Sequence, residues 1–273
     1  MLVDLHVKSS AEGVSIDLDT IFAKAKSAGI DGLAFCETLS TANCRATLDA
    51  AEQAGIAAFI GVEIPSDKGI LIGFAPAIDQ FYLAEEWRQL TEFATPPANQ
   101  VIAMFDEMGG AVVASRPYDL AIPYNMGDLI FTLDNVHGVE VFNSRCGQVQ
   151  CDFALEAAKF MGIPTCGGTD PKGSLQGFGK YATFFENELR TQADFVAALR
   201  DGEYWAVQFG ATPGVKRTPR SDDSRGGRDS RGGRGDSRRD GGRGGRSGGG
   251  KGGGGRGGRS GGGRSGGSRG RRD

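Results

Sequence analysis

The sequence predicts an α/β protein built as a closed barrel of about seven strand–helix units, followed by a segment with no core of its own. Three observations carry this. Short apolar runs alternate with amphipathic stretches at a period of roughly 25–30 residues, the pattern of βα units. The strand-like runs are rich in Ile, Val and Ala without clean polar alternation, which suits a sheet covered on both faces. No Leu, Ile, Val, Phe, Tyr or Trp occurs after Val215. Periodicity alone leaves an open sheet as the other solution.

Taken in order, strands are expected over 2–5, 32–36, 57–64, 70–74, 111–114, 138–142, 164–166, 181–185 and 204–207. Helices are expected between most of them. Over 19–28, Ile21, Phe22 and Ala25 recur at helical spacing and Gly29 supplies a stop. Helix 42–54 ends at Gly55, 99–108 at Gly109, 153–161 at Gly162, and 191–200 just before Gly202. A glycine there accepts the left-handed turn that ends a helix. Segment 76–97, rich in Phe, Trp and Glu, reads as an inserted lid or extra helix. Trp87, Phe93, Phe105 and Phe160 read as packing residues at helical spacing, and Cys36 and Cys166 as core.

Charge divides the chain. Overall, 31 basic residues face 34 acidic ones, a net −3. From Lys216 to Asp273, 18 basic residues face six Asp, a balance of +12, which leaves −15 for residues 1–215. The expected domains are a barrel over 1–212 and an Arg/Gly-rich tail over 213–273. Of the last 58 residues, 24 are Gly; with no apolar area to bury, such a segment is expected to be disordered. No apolar run approaches the ~18–20 residues of a membrane span, and the N-terminus lacks a basic-then-apolar signal pattern. Five Cys without a CxxC motif argue against a disulfide framework or a structural zinc site. A reducing, cytoplasmic location is the expectation.

In parallel α/β folds, ligands meet the loops that leave the C-terminal strand ends. The unusual polar residues of this sequence stand there: His6 and Lys8 after the first strand, Glu37 after the second and Glu63 on the third. Arg116, Asn143 and Asp170 follow later strands. A pocket lined by these side chains is the expectation.

Six motifs in order carry a family resemblance. Asp4-Leu5-His6-Val7-Lys8-Ser9 resembles the opening "DLHxHS" of PHP (polymerase and histidinol phosphatase) domains. Gly29 to Thr38 resembles their "GhDxhAhTDH" segment, and Gly61-Val62-Glu63-Ile64 with Gly69 to Phe74 their "GhEh…HhLG" segment. Ala114-Ser115-Arg116-Pro117-Tyr118 stands where "AAHPF" belongs, Gly167 to Lys172 where "GSDAH" belongs, and Phe195 to Gly202 resembles the closing helix. The resemblance covers nearly all of residues 1–210. It implies a distorted (βα)7 TIM-like barrel in which clustered His, Asp and Glu bind up to three metal ions and hydrolyse phosphate esters. Such ions polarise a phosphoryl oxygen and generate hydroxide at neutral pH.

Most of the implied ligands are missing. Lys8, Thr38, Arg116 and Lys172 stand where the family has histidine, and Glu37 replaces an Asp. His137, the other histidine of the chain, precedes its strand. The expectation is therefore no cofactor, with a single divalent ion (Mn, Zn or Fe) on His6, Glu37, Glu63 and Asp170 as the alternative. Lys8, Arg116 and Lys172 are expected to neutralise Glu37, Glu63 and Asp170, either as an ion-pair plug or as an anion or phosphate pocket, because an unpaired buried carboxylate is strongly unfavourable.

The tail resembles the RGG segments of RNA-binding proteins, without their frequent Phe or Tyr. Arg225, Arg228, Arg231, Arg234, Arg238, Arg239, Arg243 and Arg246 are spaced mostly by glycine. Guanidinium forks phosphate and stacks on bases, so RNA or a ribonucleoprotein is the expected partner. A contact between tail and acidic body is a further expectation. The combined expectation is a non-catalytic barrel that binds RNA through its tail. The alternative is a divergent metal-dependent phosphoesterase acting on a phosphorylated metabolite or nucleic-acid end.

Overall fold

A computed structural model describes residues 1–210 apart from 12–13, 124 and 172–173. The expected boundary at 212, the tail with its eight named arginines, and Lys172 lie outside the described residues.

The elements run β1 (Leu2–Val7), β2 (Ser10–Ala11), β3 (Val14–Ser15), α1 (Leu18–Ser27), β4 (Gly32–Thr38), α2 (Cys44–Ala54), β5 (Ala57–Ser66) and β6 (Gly69–Phe74). Next come α3 (Ile78–Tyr82), α4 (Glu85–Thr91), α5 (Ala98–Glu107), β7 (Ala111–Ser115) and a 3-10 turn at Gly127–Thr132. Then β8 (Gly138–Asn143), α6 (Gln148–Met161), β9 (Thr165–Gly168), β10 (Tyr181–Phe185), α7 (Gln192–Asp201) and β11 (Tyr204–Gln208) complete the described residues.

Nine strands form one sheet in the order β11-β10-β1-β4-β5-β6-β7-β8-β9. The β9 edge of this sheet returns to β10 and β1. The Thr183 hydroxyl of β10 accepts from the Gly167 N–H at 2.9 Å and donates to its carbonyl at 3.0 Å, and the Asp170 N–H donates to the His6 carbonyl at 2.6 Å. The result is a nearly closed mixed α/β barrel. Gly168 permits this approach, because a Cβ there would lie 2.6 Å from the backbone nitrogen and Cβ of His6.

All nine expected strands are present, yet the sheet is not all parallel. The β1–β4, β4–β5, β7–β8 and β8–β9 pairs are parallel, whereas β5–β6, β6–β7, β1–β10 and β10–β11 are antiparallel. Only Asp67 and Lys68 separate β5 from β6, too few for the crossover that a parallel pair needs. Alternation of element types does not reveal such a reversal.

The helix stops follow expectation: Gly55, Gly162 and Gly202 each close a helix at positive φ. Helix α6 starts five residues earlier than its apolar spacing suggests, since its first turn is held by Gln150 accepting from the Gly147 N–H at 2.5 Å. Segment 76–97 forms two short helices whose Phe81 and Trp87 rings pack with Phe105 of α5 and with Tyr82, at centroid distances of 4.3–6.1 Å. It thickens the wall, as the extra-helix alternative for this segment expects. Phe105, Trp87, Cys36 and Cys166 are buried. Phe93 and Phe160, expected to pack, are 55% and 83% exposed. No described helix is long and apolar enough to cross a membrane.

Candidate functional site: a buried ion-pair cluster at the barrel mouth

Alternation along β1 points Asp4 and His6 to the same face, with Lys8 next in that series. All three are buried. Glu63 comes from β5 and Glu140 from β8, while Arg116 follows β7 directly and Asp170 follows β9 after Thr169. Arg116 (φ 44°) and Asp170 (φ 43°) both adopt left-handed backbone conformations. These are uncommon outside glycine and are retained where surrounding structure enforces them.

His6 sits at the centre. Its Nδ1 lies 3.2 Å from Glu140 Oε1, and its Nε2 lies 3.2 Å from Glu63 Oε2 and 3.8 Å from Asp170 Oδ1. The Nε2 contacts are ionic only; among the described residues this nitrogen makes no hydrogen bond. Lys8 Nζ donates to Glu63 Oε1 at 2.6 Å and to Thr38 Oγ1 at 3.2 Å. The Arg116 guanidinium, in a residue only 2% exposed, spans Asp170 at 2.7 Å and Glu63 at 3.1 Å, with Asp119 at 3.5 Å. Arg145 adds a second contact to Asp170 at 3.2 Å. Glu140 also accepts from Ser115 Oγ at 2.5 Å and Asn143 Nδ2 at 2.8 Å.

The electrostatics follow from this packing. Burial works against charge on His6, but Asp170, Glu140 and Glu63 outweigh it and raise its pKa to about 10. Burial also opposes charge on Glu63, yet His6, Lys8 and Arg116 hold its carboxyl below the usual range. Asp170 is likewise held down against its burial by His6, Arg116 and Lys8. Arg116 is pushed up by Asp170, Glu140, Glu63 and Asp119, again against burial. Asp4 differs: burial raises it to about 7, only partly offset by the N–H groups of Thr169 and His6, which donate to Oδ1 at 2.7 and 3.3 Å. Among the described residues, its buried Oδ2 has no hydrogen-bond partner.

The structure thus brings together His6, Lys8, Glu63, Arg116, Asn143 and Asp170 from the sequence-predicted set. Glu37 stands at the rim, accepting from the Ser9 N–H at 2.7 Å and the Ser9 hydroxyl at 2.6 Å. Lys172 is outside the described residues. Sequence reasoning missed Glu140, Ser115, Asp119 and Arg145. The available signal was a lone carboxylate inside the apolar run Val139-Glu140-Val141, which a buried strand tolerates only with partners.

His6, Glu63 and Asp170 each offer a donor atom, all within 4.8 Å of one another, and could hold a metal ion by donor chemistry alone. The surroundings do not fit one. The four cations His6, Lys8, Arg116 and Arg145 pair with the four carboxylates Glu63, Asp119, Glu140 and Asp170. An added divalent ion would stand against the buried guanidinium and the Lys8 ammonium.

No protein-family model matches the sequence, and no curated protein matches it. Among solved structures, the chain is similar to a candidate metal-dependent phosphoesterase from Bifidobacterium adolescentis, with 16% identity and a TM-score of 0.46 over 63% of this chain and 88% of that one. It is also similar to an amidohydrolase from Chromobacterium violaceum with bound sulfate and no metal, with 16% identity and a TM-score of 0.47 over 62% of this chain and 86% of that one. Likeness at this level adds nothing about the chemistry of the site.

Proposed function

We propose that this protein is a non-catalytic barrel that binds RNA through its arginine–glycine tail, with the mouth of the barrel closed by ion pairs. One observation supports the non-catalytic part above others: the buried Arg116 guanidinium lies 2.7 Å from Asp170 and 3.1 Å from Glu63. A fixed cation on these carboxylates removes the open coordination position and the free carboxylate that metal-assisted hydrolysis requires. The RNA-binding part rests on tail composition, sixteen Arg among residues 216–273 with glycine as the main spacer.

The second reading, a divergent phosphoesterase, is favoured by the His6, Glu63 and Asp170 donor set. It requires Arg116 and Lys8 to give up their partners. The test has two parts. Purified full-length protein is assayed for bound metal and for aryl-phosphate hydrolysis with Mn²⁺, and its RNA affinity is compared by gel shift with a chain ending at Val215. The proposal expects no stoichiometric metal, no turnover, and RNA affinity lost with the tail. Stoichiometric metal with turnover abolished by Asp170→Ala would establish the second reading. Equal RNA affinity of the two chains would remove the tail from the function.

A further inference from the structure

The outer face of α6 presents aromatic rings to solvent. Phe153 and Phe160 are 51% and 83% exposed, and Phe131 of the 3-10 turn is 44% exposed. Phe131 meets Phe160 nearly at right angles with centroids 5.5 Å apart, and Tyr118 lies 5.7 Å from Phe153. Between these rings runs an open groove of about 540 Å³ whose charged lining is Asp128 and Glu156, without a Lys or Arg. The Tyr118 hydroxyl donates to Asp128 Oδ1 at 3.2 Å, holding ring and carboxylate side by side. Grouped exposed rings mark interaction sites, whereas a single exposed ring does not.

The chemistry of the groove selects its occupant. Aromatic faces attract cations, and a planar guanidinium both stacks on a ring and forks a carboxylate, which an ammonium cannot do. The two carboxylates repel a phosphate backbone. Glycine neighbours let a peptide backbone approach closely, since they carry no Cβ. We propose that the groove docks the arginine–glycine sequence of residues 225–246 from a second copy of this chain.

Two further facts favour that occupant. Residues 1–215 carry −15 and the following segment +12, so association between copies is electrostatically complementary. The chain from Gly210 to Arg225 can extend to about 50 Å at ~3.3–3.6 Å per residue. A barrel of this length is only about 40 Å across, so the arginines can reach a neighbouring molecule.

The test uses the full chain. Sedimentation velocity at low salt over a hundredfold range of concentration should show reversible self-association, weakened at least tenfold by Phe153→Ser with Phe160→Ser, both exposed positions that leave the core untouched. Replacing Arg225, Arg228, Arg231 and Arg234 by Gln should weaken it to a similar extent, and replacing them by Lys should weaken it less. A labelled peptide spanning residues 225–246 should bind the full chain and lose at least tenfold in affinity with Glu156→Gln. Association that survives the Arg→Gln changes would mean that the aromatic faces of two copies pack directly and would overturn the proposal. So would association indifferent to Phe153 and Phe160, a full chain that stays monomeric over that range whether or not it binds the peptide, or RNA affinity that falls with Phe160→Ser.

Discussion

Arg116 touches Glu63, Asp170 and Asp119 with one guanidinium. Removing one partner of a buried ionic network leaves uncompensated charge, which costs about 3–5 kcal/mol. Arg116→Met should therefore lower unfolding free energy by that amount in urea titrations at neutral pH. Arg116→Lys should restore only part, because an ammonium cannot bridge two carboxylates in fixed geometry. A loss below about 1 kcal/mol for the Met variant would contradict the assignment of this residue. The cluster also fixes a pH dependence. Glu63 and Asp170 are held low, so their stabilisation is present above the ordinary carboxylate range and lost on acidification. His6, raised to about 10, contributes fully below its ordinary value and loses that contribution as pH rises toward 10. Asp4, raised to about 7, contributes fully below its ordinary carboxylate value and loses that contribution progressively from there up to about pH 7. Thermal melts should accordingly show greatest stability at about pH 4 to 5, where Glu63 and Asp170 have gained most of their stabilisation and Asp4 has begun to lose its own; a maximum above pH 8 would count against these signs. Of this network, His6, Lys8, Glu63, Arg116 and Asp170 were legible because they are polar residues at or just beyond strand ends. Glu140 was not, because one carboxylate in an apolar strand announces no partner until the fold supplies His6.

The strands and helix stops were legible because each is a local signal: an apolar run, or a glycine able to take positive φ. Strand direction was not, since it depends on what each connection can span. The β5–β6 turn and the return of β10 beside β1 reverse four pairings without altering any strand's composition. Packing of β9 on β1 was also invisible, because it depends on what Gly168 lacks. Gly168→Ala would force a methyl group to within 2.6 Å of the His6 backbone. Overpacking of this kind costs about 1–3 kcal/mol, and circular-dichroism melts should show the loss. The substitution should also weaken the His6–Glu140 contact, read as a lower imidazole pKa by NMR.

For the complete chain, charge segregation governs the RNA-binding proposal. Neutralising roughly six to ten phosphates makes affinity fall about 10³–10⁵-fold between 50 and 200 mM salt. Filter binding of full-length protein across that range should show such a slope if the arginines contact backbone phosphate. A flat response would mean that the tail recognises something else.

The barrel closes on side-chain and single backbone bonds, Thr183 to Gly167 and Asp170 to His6, with no continuous ladder between β9 and its neighbours across the gap. His6 and Asp170 stand on opposite banks of that gap, and Arg116 ties Asp170 to Glu63 farther round the wall. The charged cluster therefore serves as a clasp: any disturbance that discharges it loosens the cylinder along one line, and any force that parts this line pulls the charges asunder.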